Sequence, residues 1–135
     1  MNQVHTWLTG LPLRSRVGPA GFEHEPLRFD GRRLLADRAV DGVLWISSFD
    51  AAGVPPATDL PCIVLGPPAL RQRLPAAACV FIAVATPGLG AAGHLLRTDG
   101  IVVVPLERMR DDGLPAVADV LARVEGALPA ARRTA

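Results

Sequence analysis

The side chains able to do chemistry are few in this chain, and they are dispersed. Cys62 and Cys79 each lie inside an apolar run. The reactive form of cysteine is the thiolate, which needs a cationic neighbour to be stabilised. Neither cysteine has a His or Arg beside it in sequence, so both are read as buried, reduced and inert. His5, His24 and His94 belong to unrelated segments. His24 stands between Glu23 and Glu25, but adjacent side chains of an extended segment point to opposite faces, so the triplet does not build a tetrahedral metal site. It reads as a solvated acidic loop. Ser47, Ser48 and Thr86 are the hydroxyl nucleophile candidates, and no serine sits in a GxSxG elbow. All fourteen basic residues are Arg. That excludes a lysine Schiff base and a P-loop lysine.

One motif has the form of a cofactor site. Gly88-Leu89-Gly90-Ala91-Ala92-Gly93 matches GxGxxG and follows an apolar run. In a dinucleotide site these glycines permit a tight turn, close approach of the pyrophosphate and tight packing of the following helix. Here Pro87 intervenes, and too few residues separate Gly93 from the next apolar run for a crossover helix. Glu107 lies beyond Pro105, a poor position for a ribose-binding acid. A glycine-rich turn is the expectation. A small nucleotide- or ligand-binding module using Gly88, Gly90 and Gly93 stands as the alternative function.

The elements that must position these residues follow from hydrophobic patterning. Apolar runs at 43–48, 62–65, 79–85 and 101–106 do not alternate with polar residues, the pattern of strands buried on both faces in a parallel sheet. Parallel strands need crossovers, usually helical. Helices are predicted at 31–39, 69–74 and 115–128, with a further short helical stretch at 91–97. Asp30 is placed to cap the first of them. In the last, Pro115 suits the first turn. Val117, Val120, Leu121, Val124 and Leu128 form one stripe, and Asp111 and Asp112 read as helix-start acids. The link at 49–61 carries three of the chain's prolines and cannot be much of a helix. The helices are therefore too few for the strands, and part of the sheet is expected to be covered by another protein.

The fold expected is thus α/β: a single Rossmann-like domain with a mainly parallel four- to five-stranded sheet, incompletely covered by its own helices. Residues 1–28 read as an irregular N-terminal arm, 29–129 as the domain and 130–135 as a flexible tail. With 135 residues and a formal net charge of +1, the chain suits one core, and charge points to neither nucleic acid nor a membrane surface. The longest apolar run, 76–85, is about half what a membrane helix requires. The N-terminus lacks the parts of a secretory signal. A cytoplasmic location is expected.

Wording in several segments carries a resemblance. Thr9-Gly10-Leu11-Pro12-Leu13-Arg14, Pro26-Leu27-Arg28-Phe29-Asp30 and Leu44-Trp45-Ile46-Ser47-Ser48-Phe49, within the longer stretch 29–66, resemble the late part of the large molybdopterin-type subunit of formylmethanofuran dehydrogenases. The closest version is the truncated form of the formyltransferase/hydrolase complex of methylotrophic bacteria. The resemblance spans about Thr6 to Leu106. It begins in the middle of the larger subunit, so the front domains are expected to be missing. That family holds an iron–sulfur cluster through clustered cysteines, and tungsten or molybdenum through a Cys or selenocysteine beside two pterins. Cluster ligation takes about four closely spaced thiolates, and this chain has two cysteines. No cofactor, metal or catalytic residue is therefore expected. The resemblance implies a non-catalytic structural subunit of a complex that converts formyl-tetrahydromethanopterin to formate through a methanofuran-like carrier, in formaldehyde oxidation. Its implied partners are the formyltransferase, amidohydrolase-like hydrolase and β-helical subunits. Trp7, Leu11, Leu13 and Phe22 are the candidate interface anchors, because large apolar and aromatic side chains carry most interface energy.

Overall fold

The computed structural model describes residues 14–75, 79–96 and 102–128. Contacts divide the chain into two compact units, the first reaching Val40 and the second spanning Asp41–Leu128.

The first unit contains an antiparallel hairpin of β1 (Ser15–Gly18) and β2 (Gly21–His24), with Ser15 opposite His24 and Gly18 opposite Gly21. This stretch was expected to be irregular. Its Gly and Pro residues instead build the turn, where Gly21 takes a φ of 101°, open to glycine and strained for other residues. Helix α1 (Gly31–Ala36) follows. Asp30 caps it as expected, accepting from the amides of Arg32 and Arg33 at 3.1 Å while its other oxygen meets Arg14 at 2.7 Å. The helix stops short of residue 39. Arg38 turns to a φ of 49°, and the amides of Arg38 and Ala39 return to Leu35 and Leu34 in a Schellman-type ending.

The second unit is built on a parallel sheet of β3 (Val43–Ile46), β4 (Cys62–Gly66) and β5 (Cys79–Ala83), in that spatial order. The register sets Val43, Cys62 and Cys79 in one row and Leu44, Ile63 and Val80 in the next. Alternation then sorts the side chains to two faces. On one face Cys62 and Val64, flanked by Val43, Trp45 and Phe81, pack against Leu70 and Leu74. Leu70 comes from a 3-10 helix, Pro68–Arg73, where two turns of helix had been predicted. The Trp45 indole donates to the Gly53 carbonyl at 2.7 Å, so the Pro-rich link satisfies the polar atom on this face.

On the other face Leu65, Val84 and Ile82 lie under Val117, Val120 and Leu121 of helix α2 (Val117–Ala127). This helix starts two residues later than Pro115. The Pro115 carbonyl accepts the Ala85 amide at 2.9 Å, and Asp119 reaches back to the Ala116 amide at 3.3 Å. Three of the five stripe residues are used; Val124 and Leu128 remain exposed.

The run at 101–106 was expected to extend the parallel sheet. Its strand, β7 (Val103–Leu106), instead pairs antiparallel with β6 (Gly93–Leu96), in the stretch read as helical. The reason is connection length. A short link returns the chain only in the antiparallel sense, and a segment holding Pro87 and three glycines supplies no crossover helix. The described residues therefore form a mixed α/β fold with a three-stranded parallel sheet and two small antiparallel pairs.

Candidate functional site

The parallel strands β4 and β5 end at Gly66 and Ala83. Beyond these carboxyl ends the chain surrounds a cleft of about 310 Å3 lined by Pro67, Pro68, Val84, Thr86, Leu89, Arg110, Asp112 and Leu114. Backbone hydrogen bonds hold its rim. The Thr86 carbonyl accepts the amides of Leu89 and Gly90 at 3.0 Å, and the Leu89 carbonyl accepts those of Met109 and Arg110 at 3.0 Å.

The glycine motif lies in this rim. Gly88 takes a φ of 81°. Gly90 is crowded: the Asp112 carboxylate lies against its Cα, where a Cβ would collide with it. Gly93 opens β6, and a Cβ there would come within 2.8 Å of Pro87. Each glycine thus has a steric reason in a turn that leads into a strand. A pyrophosphate needs glycine backbone open to it and a helix N-terminus behind it. Asp112 occupies the first, and β6 stands where the helix would begin.

Asp111 and Asp112 precede α2 without entering it. Asp111 accepts from the Gly113 amide at 3.0 Å and Asp112 from the Leu114 amide at 3.2 Å. The Gly113 hydrogen bond, helped by Arg108 at 2.9 Å, holds the Asp111 carboxyl below its usual range. Both acids are turn formers here rather than helix-start charges.

The other candidates are not brought together. Cys62 is buried and its Cα is in register with that of Cys79. Ser47 donates to the Asp50 carbonyl at 2.7 Å. His24 belongs to the first unit, where Nδ1 lies 3.0 Å from the Arg14 carbonyl, while His94 is exposed on β6 opposite Pro105. No group of three His, Cys, Asp or Glu side chains able to hold a metal forms among the described residues. Phe22 projects from β2 and is 61% exposed. Trp7, Leu11, Leu13 and His5 lie outside the described residues. No helix among the described residues is long and apolar enough to cross a membrane.

The first unit has its own cleft of about 410 Å3, containing Arg16, Arg28 and Arg33 around Phe29. Arg16 and Arg28 lie over the Phe29 ring at 5.5 and 5.6 Å. Arg16 is paired with Glu23 at 2.7 Å and Arg33 with Asp37 at 3.4 Å. Arg110, in the second unit, was not singled out by sequence. An isolated Arg gives no local signal, and only its arrival at the carboxyl ends of the strands distinguishes it.

By fold, the second unit is an α/β module built on a short parallel sheet. No family model matches the chain, and no curated protein matches it. Among solved structures it is similar to a chain of the formyltransferase/hydrolase complex (FhcABCD) from Methylorubrum extorquens, determined in complex with methylofuran. The TM-score is 0.71 and the identity 28%, over 93% of this chain. The likeness takes in 35% of the other chain, so this chain spans about a third of the protein it matches.

Proposed function

We propose that this chain is a non-catalytic structural subunit of a formyltransferase/hydrolase complex, the counterpart of a truncated molybdopterin-type subunit of formylmethanofuran dehydrogenase. The observation that carries the reading is the structural likeness to a chain of such a complex over 93% of the length. In this reading the protein works in the cytoplasm, in one-carbon metabolism. Formyl transfer from formyl-tetrahydromethanopterin to a methanofuran-like carrier, and its hydrolysis to formate, belong to the formyltransferase and amidohydrolase-like subunits. The parallel strands are the remnant of a Rossmann-like sheet that has lost its metal-pterin and iron–sulfur partners.

Exposure of the sheet supports a packed role. Leu44, Ile46, Ile63 and Val80 share one face, between 39% and 62% exposed. Parallel sheets are ordinarily covered on both sides, so this row suits burial by another subunit. Phe22, with Trp7, Leu11 and Leu13 of the same arm, would add anchors. The test is co-expression of the full chain with the formyltransferase, amidohydrolase-like and β-helical subunits. A single stoichiometric complex is expected, with the chain alone self-associating. A chain that stays monomeric and ignores all three partners would sink the reading.

A further inference from the structure

We propose that the cleft at the carboxyl ends of β4 and β5 binds a small organic monoanion, with its carboxylate on Arg110 and Thr86 and its apolar body between the prolines and leucines. This goes beyond the subunit reading and does not depend on it. The site lies outside the carboxyl ends of parallel strands, the end at which α/β sheets bind ligands, although the order β3-β4-β5 has no reversal to open a crevice there. Its volume, about 310 Å3, is at the lower end of the range for small-molecule pockets. Pro67, Pro68, Val84, Leu89 and Leu114 make the walls apolar.

The polar groups in the cleft select the charge. Arg108 is satisfied by Asp111, but among the described residues no carboxylate pairs with Arg110, and no hydrogen bond engages the Thr86 hydroxyl. A guanidinium presents a planar fork matched to a carboxylate. The main chain beneath both groups is fixed. The amide of Arg110 is bonded to Leu89, and the Thr86 carbonyl collects the amides of the turn. Asp112 lines the same cleft, accepts from the Leu114 amide and lies next to Gly90. Arg110 brings one positive charge to the cleft, enough to pair with a single carboxylate. A diphosphate would place further negative charge against the Asp112 carboxylate, and like charges disfavour it. The cleft is therefore selective for a monoanion over a nucleotide phosphate.

The experiment is titration calorimetry of the full chain, alone or in its co-expressed complex, with benzoate as probe. Benzoate should bind with a Kd on the order of 1 mM, reasonable for a ligand of about nine heavy atoms. Pyrophosphate should not displace it. Arg110→Met should weaken benzoate at least about tenfold, the loss of a charge-assisted pair. Arg108→Met should leave it unchanged. Asp112→Asn keeps an oxygen for the Leu114 amide while removing the charge, so it should admit pyrophosphate, a gain that a purely structural role for Asp112 would not produce. Absence of benzoate binding at 10 mM, on the order of ten times the expected Kd, would overturn the proposal. So would equal binding by Arg110→Met, or displacement of benzoate by pyrophosphate from the unaltered chain.

Discussion

The two faces of the parallel sheet are made of the same kinds of side chain, yet they are covered differently. On one, Cys62 and Val64 are sealed by Leu70 and Leu74, and the Pro-rich link supplies a carbonyl for Trp45. On the other, cover stops partway. Leu65 and Val84 are buried under α2, while Leu44, Ile63 and Val80, two register rows toward the strand starts, and Ile46, level with Leu65 on the edge strand β3, are exposed. Helix length does not explain the difference. The eleven residues of α2 span about 16 Å at 1.5 Å per residue, more than the roughly 10 Å across three strands. What limits it is the tether. The Ala85 amide on the Pro115 carbonyl pins the start of α2 to the carboxyl end of β5. A short 3-10 helix in the right place thus buries more of a sheet than a longer helix held at one end.

The comparison is broken most strongly from the sealed side. Leu70 is fully buried among Cys62, Val64 and Leu74. Leu70→Ala removes its apolar contacts and leaves a cavity, so it should cost about 2–5 kcal/mol in urea unfolding of the full chain. A cost below about 1 kcal/mol would mean that the 3-10 helix is not what closes this face.

The open side should respond in the opposite way. Val80 is 62% exposed and Leu44 53%. Val80→Ser and Leu44→Ser should each change the stability of the isolated chain by about 1 kcal/mol or less. In the co-expression experiment both should reduce recovery of partner subunits, because the apolar row is lost from the interface. Large destabilisation of the isolated chain would show that the row is already buried by the chain itself in solution.

The strands of this sheet were legible because their signals are local. Val43–Ile46 and Cys62–Gly66 are unbroken apolar runs between Gly, Pro and Asp, and the Asp30 cap lies next to the amides it serves. The shortage of cover was legible too, since it required only counting apolar runs against helices. The direction of β7 was not, because Val103–Leu106 has the same composition as a parallel strand and its pairing is decided by the link before it. The hairpin at Ser15–His24 was missed for a related reason: with most of β1 and half of β2 exposed, its strands carry no apolar alternation to read. The cleft was half visible. Its glycines stood out and were assigned to a turn, but Arg110 and Asp112 join Pro67, Pro68 and Thr86 only through contacts distant in sequence, and the Asp111-Asp112-Gly113 turn masqueraded as a helix start.

The smallest effect concerns pH, and it sharpens the contrast because both faces are held by apolar contacts that do not titrate. Among the described residues, the two carboxyls with lowered pKa, Glu23 and Asp111, stand outside the parallel sheet. Glu23 is held below the ordinary glutamate value of 4.5 first by its hydrogen bond from Arg16 and then by the charges of Arg16 and Arg28. A depressed folded-state pKa stabilises the fold above the unfolded value, and that contribution is lost as pH falls through the folded value. The pair crosses the β1–β2 hairpin at the surface, where ion pairs contribute little. The urea midpoint of the chain should therefore stay flat from pH 7 to about 5. It should then drift down slightly as the solution becomes more acid, with Glu23→Gln removing part of that drift. The gap between the unaltered chain and Leu70→Ala should stay constant throughout. If that gap instead closes or widens across the same titration, a charged group is coupled to the sealed face, and apolar packing alone does not hold it.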